Sequence, residues 1–210
     1  NNLYKLRVLL IFIIGLASFP SFGQTFKLSS ANYASADILN YTTGTNGANS
    51  KRYTTSMNVS GQITFDRVLT ANMNQAPVTA VAWNIFDGLN SYTEQNSYTQ
   101  GQTTVTTNSN GDLVSVGIIM RQWQNLSKKA VNDYTNELWI LPGYTAAFNA
   151  LICVQSSIVD QCTLANQVIE HTSRVLPLPA VTFLSGNANL SGLLISSNGQ
   201  SSSPPNFSPS

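Results

Sequence analysis

Between Tyr53 and Asp66 the chain reads YTTSMNVSGQITFD, with Tyr53, Met57, Val59, Ile63 and Phe65 on one parity and small polar residues on the other. Successive side chains of a β-strand point to opposite faces, so this pattern predicts a half-buried strand, or a strand pair if Ser60-Gly61-Gln62 interrupts it. A second strand follows in APVTAVAWNIFDGLNSY, where Val81, Trp83 and Ile85 alternate with Ala80, Ala82 and Asn84 until Asp87-Gly88 signals a turn. Trp83, on the apolar side of that run, is expected in the core. In TTVTTNSNGDLVSVGIIMRQW two β-prone segments flank residues 108–112. The Asn110-Gly111 pair there tolerates the positive φ of a tight turn and predicts a hairpin, with Val114, Val116, Ile118 and Met120 on its inner face.

The stretch LSKKAVNDYTNELWILPG is the one place where a helix competes, since Leu126, Ala130 and Val131 lie about a turn apart. It is short and rich in Asn, so at most one or two turns are expected before a strand from Glu137 to Leu141. AAFNALICVQ, the segment after Cys162, and PAVTFLSGNANLSGLLISS supply the remaining strands, with Pro177 and Pro179 marking an edge or a connection between sheets. Short strands, Gly and Asn turns and the lack of a long helical period predict an all-β fold, an antiparallel β-sandwich or partly closed barrel in a single domain. The expected organisation is a signal peptide over 1–23, a loose, polar N-terminal arm with one strand over 24–50, the sandwich over 51–197, and a disordered Ser/Pro-rich tail over 198–210.

Composition sharpens the picture of the outer face. Only 9% of the 210 residues are charged and the net charge is +1, against about 25% charged residues in ordinary domains. No basic cluster exceeds Lys51-Arg52 and Lys128-Lys129, which argues against nucleic acid, whose binding neutralises several phosphates at once. At the start of the chain, Lys5 and Arg7 precede the apolar run VLLIFIIGLASF and the small residues Ser21 and Gly23. That order is the pattern of a secretory leader cut before Gln24, and the run falls short of the roughly 20 residues that span a bilayer. The mature chain is therefore expected to be secreted, to the exterior or the cell envelope, with no membrane span after cleavage. Cys153 and Cys162 are the only cysteines, and in an oxidising compartment they are expected to form a disulfide. Closing that loop would stabilise the fold by about 2.5 to 3 kcal/mol on the chain-entropy account.

Candidate chemistry is sparse. The single histidine, His171 in QVIEHTSR, would have to serve any triad, and neither a G-x-S-x-G elbow nor a phosphate-cradling glycine loop occurs. A carboxylate pair for glycoside hydrolysis could be drawn from Asp66, Asp87, Glu94 and Glu137. Each also has a plain structural reading: Asp66 ends a strand, Asp87 makes a turn with Gly88, and Glu94 and Glu137 sit in polar loops. No D-x-D-x-D-G run signals calcium, and neither a cofactor nor a metal is expected. The strongest lead is aromatic. Tyr92 and Tyr98 lie in SYTEQNSYTQ, Trp123 in RQWQN, and Tyr134 and Trp139 in NDYTNELW. A flat ring covers the C–H face of a sugar while neighbouring amides bond its hydroxyls, so Tyr92, Tyr98, Trp123 and Tyr134 are the candidate ligand-binding residues, and glycans or other envelope components the expected partners.

Gly61-Gln62-Ile63-Thr64-Phe65-Asp66, then Ala82-Trp83-Asn84-Ile85, then Asn110-Gly111-Asp112-Leu113-Val114-Ser115-Val116 resemble exported bacterial β proteins of the PEP-CTERM type. The tail SSPPNFSPS carries prolines but not the Pro-Glu-Pro sorting block of that family. The resemblance implies an exported, matrix- or envelope-associated protein and no catalytic residues. The expectation from the sequence is thus a non-enzymatic secreted protein of structural or adhesive role that binds carbohydrate, with a secreted glycoside hydrolase as the alternative.

Overall fold

The computed structural model describes residues 23–40, 51–127, 129–157, 160–167 and 173–186. The fold is all-β, as the alternation predicts, with two antiparallel sheets facing each other. The first sheet has the order β14-β1-β3-β5-β6, formed by β1 (Gln24–Ser30), β3 (Ser60–Phe65), β5 (Ala80–Phe86), β6 (Ser91–Thr93) and β14 (Val181–Gly186). The second runs β2-β13-β11-β10-β9-β8-β4, from β2 (Ile38–Asn40), β4 (Ala76–Val78), β8 (Thr103–Thr107), β9 (Leu113–Trp123), β10 (Tyr134–Leu141), β11 (Tyr144–Ser156) and β13 (Ser173–Val175). Two further strands, β7 (Tyr98–Thr99) and β12 (Cys162–Gln167), pair with β9 and β11. The two longest strands each serve two neighbours in succession: β11 pairs β13 through residues 147–149 and β12 from Leu151 onward. One 3-10 turn (Ser35–Asp37) interrupts the strands, and no helix of the described residues is long and apolar enough to cross a membrane.

Inward-facing residues of both sheets make one core that includes Phe26, Leu28, Ile63, Phe65, Ile85, Val116, Ile118, Met120, Leu138 and Ile140. Each such side chain, removed from water, contributes about 1.5 to 3 kcal/mol. The hairpin predicted at residues 108–112 joins β8 to β9, with Gly111 at φ +85°. Pro177 and Pro179 lie in the link that carries the chain from β13 in the second sheet to β14 in the first, where no ladder hydrogen bond is needed.

Several expectations change. Residues 24–30 are not a loose arm: Phe26 and Leu28 share one buried face, and β1 lies between β14 and β3. The sandwich therefore starts at Gln24. Residues 51–59 form a turn-containing loop instead of a strand, yet Tyr53 and Val59 are buried from it. Val81 and Val114, expected inside, are 50% and 56% exposed. Both sit at register shifts, where Phe65 and Thr64 pair with Ala80 and Ala82, and Thr107 and Thr106 with Leu113 and Ser115. Each valine is the extra residue of a β-bulge, which locally breaks the alternation. Trp83 is partly buried against the core, its indole N–H donating to Ser97 Oγ at 2.9 Å. The Asn-rich stretch before β10 makes turns without helix among its described residues, and the strand opens at Tyr134, earlier than expected. Expectations placed on residues 1–22, 41–50, 168–172 and 187–210, including the leader, His171 and the tail, lie outside the described residues.

Candidate functional site

Two strands of the second sheet carry polar residues where their inward faces leave the apolar core. On β9 the inward face passes from Met120 to Gln122, and on β10 from Leu138 to Asn136; Gln122 and Asn136 are cross-strand partners. Opposite Asn136 the β10–β11 ladder shifts register: Thr135 pairs Leu151 and Glu137 pairs Phe148, so Asn149 and Ala150 together face one residue. Ala150 takes φ +63° there, and its N–H donates to Asn136 Oδ1 at 3.2 Å. The bulge thereby brings the side chain of Asn149 into the same space, a use typical of bulges near sites.

These residues line a cavity of about 320 Å³ with Lys51, Leu89, Asn90, Ser91, Asn96, Trp123, Gln124 and Leu126. Four of its amides form one chain of hydrogen bonds. Asn90 Nδ2 donates to Asp87 Oδ2 at 3.3 Å, Asn136 Nδ2 to Asn90 Oδ1 at 2.9 Å, and Gln124 Nε2 to Asn136 Oδ1 at 2.7 Å and to Asn149 Oδ1 at 3.3 Å. Asn149 Nδ2 closes the chain on the Lys51 carbonyl at 2.9 Å. Such a chain fixes side chains that water would otherwise leave mobile. Gln122 stands apart. The residue is only 8% exposed and its amide makes no hydrogen bond among the described residues, but its polar atoms are not among the buried unpaired ones, which are Thr135 Oγ1 and Ser157 Oγ, so the amide opens to the solvent of the cavity. An amide with no protein partner that opens to a cavity can exchange its water for a ligand's polar group.

The chain is anchored by a buried carboxylate. Asp87 Oδ1 accepts from the N–H groups of Leu89 (2.8 Å) and Asn90 (2.6 Å), and Oδ2 from the hydroxyls of Tyr53 (2.7 Å) and Tyr92 (3.0 Å). Tyr33 donates to the Asp87 carbonyl at 2.6 Å. Burial pushes the Asp87 carboxyl above the usual carboxylate range, although its donors pull the other way. The same burial, with Asp87 nearby, raises all three tyrosines.

One wall of the cavity is Trp123, 5% exposed, whose Nε1 donates to the Asp160 carbonyl at 2.6 Å. It packs on the Cys153–Cys162 disulfide, which forms as expected for the only two cysteines of the chain. Tyr98 covers that disulfide, its hydroxyl accepting from the Cys162 N–H at 2.7 Å and donating to the Cys162 carbonyl at 3.1 Å. Arg121 donates to the same carbonyl and pairs with Glu137 at 2.6 Å, both side chains being buried.

Of the four aromatic candidates, the cavity takes one. Trp123 lines it; Tyr98 supports it from behind; Tyr134 is half-buried, is not part of the lining and contributes its carbonyl to the Gln124 N–H at 3.0 Å. Tyr92 is fully buried with its hydroxyl spent on Asp87, so its ring faces the core instead of a ligand. The four carboxylates do not assemble there either. Asp87 and Glu137 are 0% exposed, and Glu137, in the middle of β10 and not in a loop, also accepts from Trp139 Nε1 at 2.6 Å. Asp66 is gripped by Arg67 at 2.9 and 2.8 Å, which lowers its carboxyl to about 2. Glu94 borders a separate, smaller hollow of about 130 Å³ with Gln62, Thr64, Ala82, Trp83 and Asn84.

The amides that build the cavity were missed one by one in the sequence, although RQWQN and NDYTNELW place three of them beside the rings that were singled out. Among the described residues, no group of three His, Cys, Asp or Glu could hold a metal ion. The described lining offers amides, a hydroxyl and Lys51 beside the apolar surface of Leu89, Trp123 and Leu126, groups suited to hydrogen bonding next to apolar contact. No family model, curated protein or solved structure matches the chain.

Proposed function

We propose that this chain is a secreted, non-enzymatic β-sandwich of the cell exterior or envelope, structural or adhesive in role, which holds carbohydrate in the amide-lined cavity at the end of its core. One observation carries the reading: Gln122 presents an amide without a protein partner to a cavity walled by Trp123 and floored by Asn90, Gln124, Asn136 and Asn149. Sugars offer what such a site needs, hydroxyls for the amides and a C–H face for the ring and for Leu89 and Leu126. The leader-like first 23 residues, the sparse charge and the disulfide support a place outside the cytoplasm. The hydrolase alternative has less support, since the two buried acids are fully engaged by donors and neither borders the cavity.

Screening of the purified mature chain on a glycan array, followed by calorimetry, tests the reading. Binding to at least one oligosaccharide is expected, weakened about tenfold or more by Gln122→Ala or Trp123→Ala, in line with losing a buried contact. An array with no bound glycan would remove the carbohydrate role and leave only the structural one.

A further inference from the structure

The orientation of each amide in the chain is set at three independent ends. A backbone carbonyl only accepts, so Asn149 must turn its NH2 to the Lys51 carbonyl and its Oδ1 toward Gln124. A backbone N–H only donates, so Asn136 must turn Oδ1 toward Ala150, where Gln124 also meets it. At the far end the Asp87 carboxyl accepts from every group bonded to it, which turns the NH2 of Asn90 toward it and the Oδ1 of Asn90 toward the NH2 of Asn136. All three ends demand the same thing of Gln124: its two amide hydrogens point into the protein, to Asn136 and Asn149. The atom left over is Oε1, which has no partner among the described residues. Amide flips are ordinarily ambiguous, but here fixed donors and acceptors at the ends leave no second arrangement that satisfies the chain.

Resting on the carbohydrate reading above, we infer that this cavity selects its ligand by hydroxyl donors: Gln124 presents a fixed carbonyl acceptor beside the unpartnered amide of Gln122, so the site takes a neutral sugar with a free hydroxyl and discriminates against acidic or O-alkylated ones. An acceptor-only group such as a carboxylate, sulfate or ether set against Gln124 Oε1 leaves two acceptors facing each other and a lone pair desolvated without a proton. Lys51 does not reverse this preference. Its contribution to the amide chain is its backbone carbonyl, and its side chain is exposed, where solvent and salt screen it. The energetic logic is that of sites built to bond a substrate hydroxyl, which reject the analogue lacking it because the site's own polar atom is left unpaired.

Calorimetry on the mature chain tests this with gluco-, manno- and xylo-hexaose, their fully O-methylated counterparts, and hexagalacturonate. The neutral hexaose that binds is expected to lose about tenfold or more on O-methylation, and hexagalacturonate to bind more weakly than the neutral sugars. Gln124→Met, which keeps the length of the side chain and removes the acceptor, is expected to shrink the gap between free and O-methylated sugar. If Gln124→Met does not give a native near-UV spectrum, the wild-type comparison decides alone. Binding of the O-methylated sugar at the parent affinity, or a preference for hexagalacturonate, would overturn the inference while leaving the carbohydrate reading intact. No binding to any of these sugars or to the array removes that reading and the inference with it.

Discussion

At the scale of the residue, the buried Asp87 shows how a chain with few charges uses one. Its carboxylate gathers donors from Tyr53, Tyr92, Leu89 and Asn90, and through Asn90 it orients the floor of the cavity. Burial raises its pKa above the unfolded value, in contrast to Asp66, which Arg67 draws down to about 2. The signs are opposite. For Asp87 the unfolded chain ionises first as pH rises, so stability falls from about pH 3.9 upward until the folded carboxyl has ionised as well. For Asp66 stability is present at neutral pH and is lost as pH falls from that same value toward 2, and because the Arg67 pair lies at the surface, solvent and salt screening leave that contribution small. Melting curves from pH 3 to pH 7 should therefore show wild type losing ground to Asp87→Asn as pH rises. A difference that is flat, or that grows in favour of wild type, would contradict the burial account.

Elements take their shape from where the two-residue alternation is broken. Val81, Val114 and the Asn149–Ala150 pair each mark a register shift, and the last of these brings Asn149 to the floor of the cavity. Gly61 in β3 is a different kind of exception. Its φ of +147° is accessible to glycine, and a Cβ there would lie 2.2 Å from the Asn84 carbonyl oxygen of β5. Gly61→Ala is expected to cost at least about 2 kcal/mol, the strain of a disfavoured backbone plus a displaced neighbour. Urea denaturation would measure it, and a loss below about 0.5 kcal/mol would show that the strands part without difficulty.

Across the whole molecule, the site joins both sheets with the disulfide loop. Asn90 comes from the turn between β5 and β6 of the first sheet, Gln122 and Asn136 from the second, and Trp123 is held from behind by Cys153–Cys162 and Asp160. Replacing both cysteines with serine is expected to lower stability by about 2.5 to 3 kcal/mol and to weaken any bound glycan, because the Trp123 wall loses its backing. Mass spectrometry with and without reductant reads the bond directly, and parallel urea and binding titrations separate the two effects. Unchanged affinity in the serine variant would mean that β9 alone fixes the ring.

Strand alternation, the Asn-Gly turn, the connecting prolines and the presence of just two cysteines are read directly from the chain, and from them the all-β class, the β8–β9 hairpin and the disulfide were legible in the sequence. The aromatic clusters pointed to the right neighbourhood, since Trp123 lines the cavity and Tyr98 braces it. Tyr92 and Tyr134 read the same way in one dimension, and only packing separated them: a hydroxyl within reach of Asp87 took Tyr92 into the core. Glu137 looked like a loop acid until the pairing of β9 with β10 set Arg121 opposite it. The cavity itself draws on residues from Lys51 to Asn149. Their meeting depends on strand order and on a bulge of one residue, long-range features that no short window of sequence encodes.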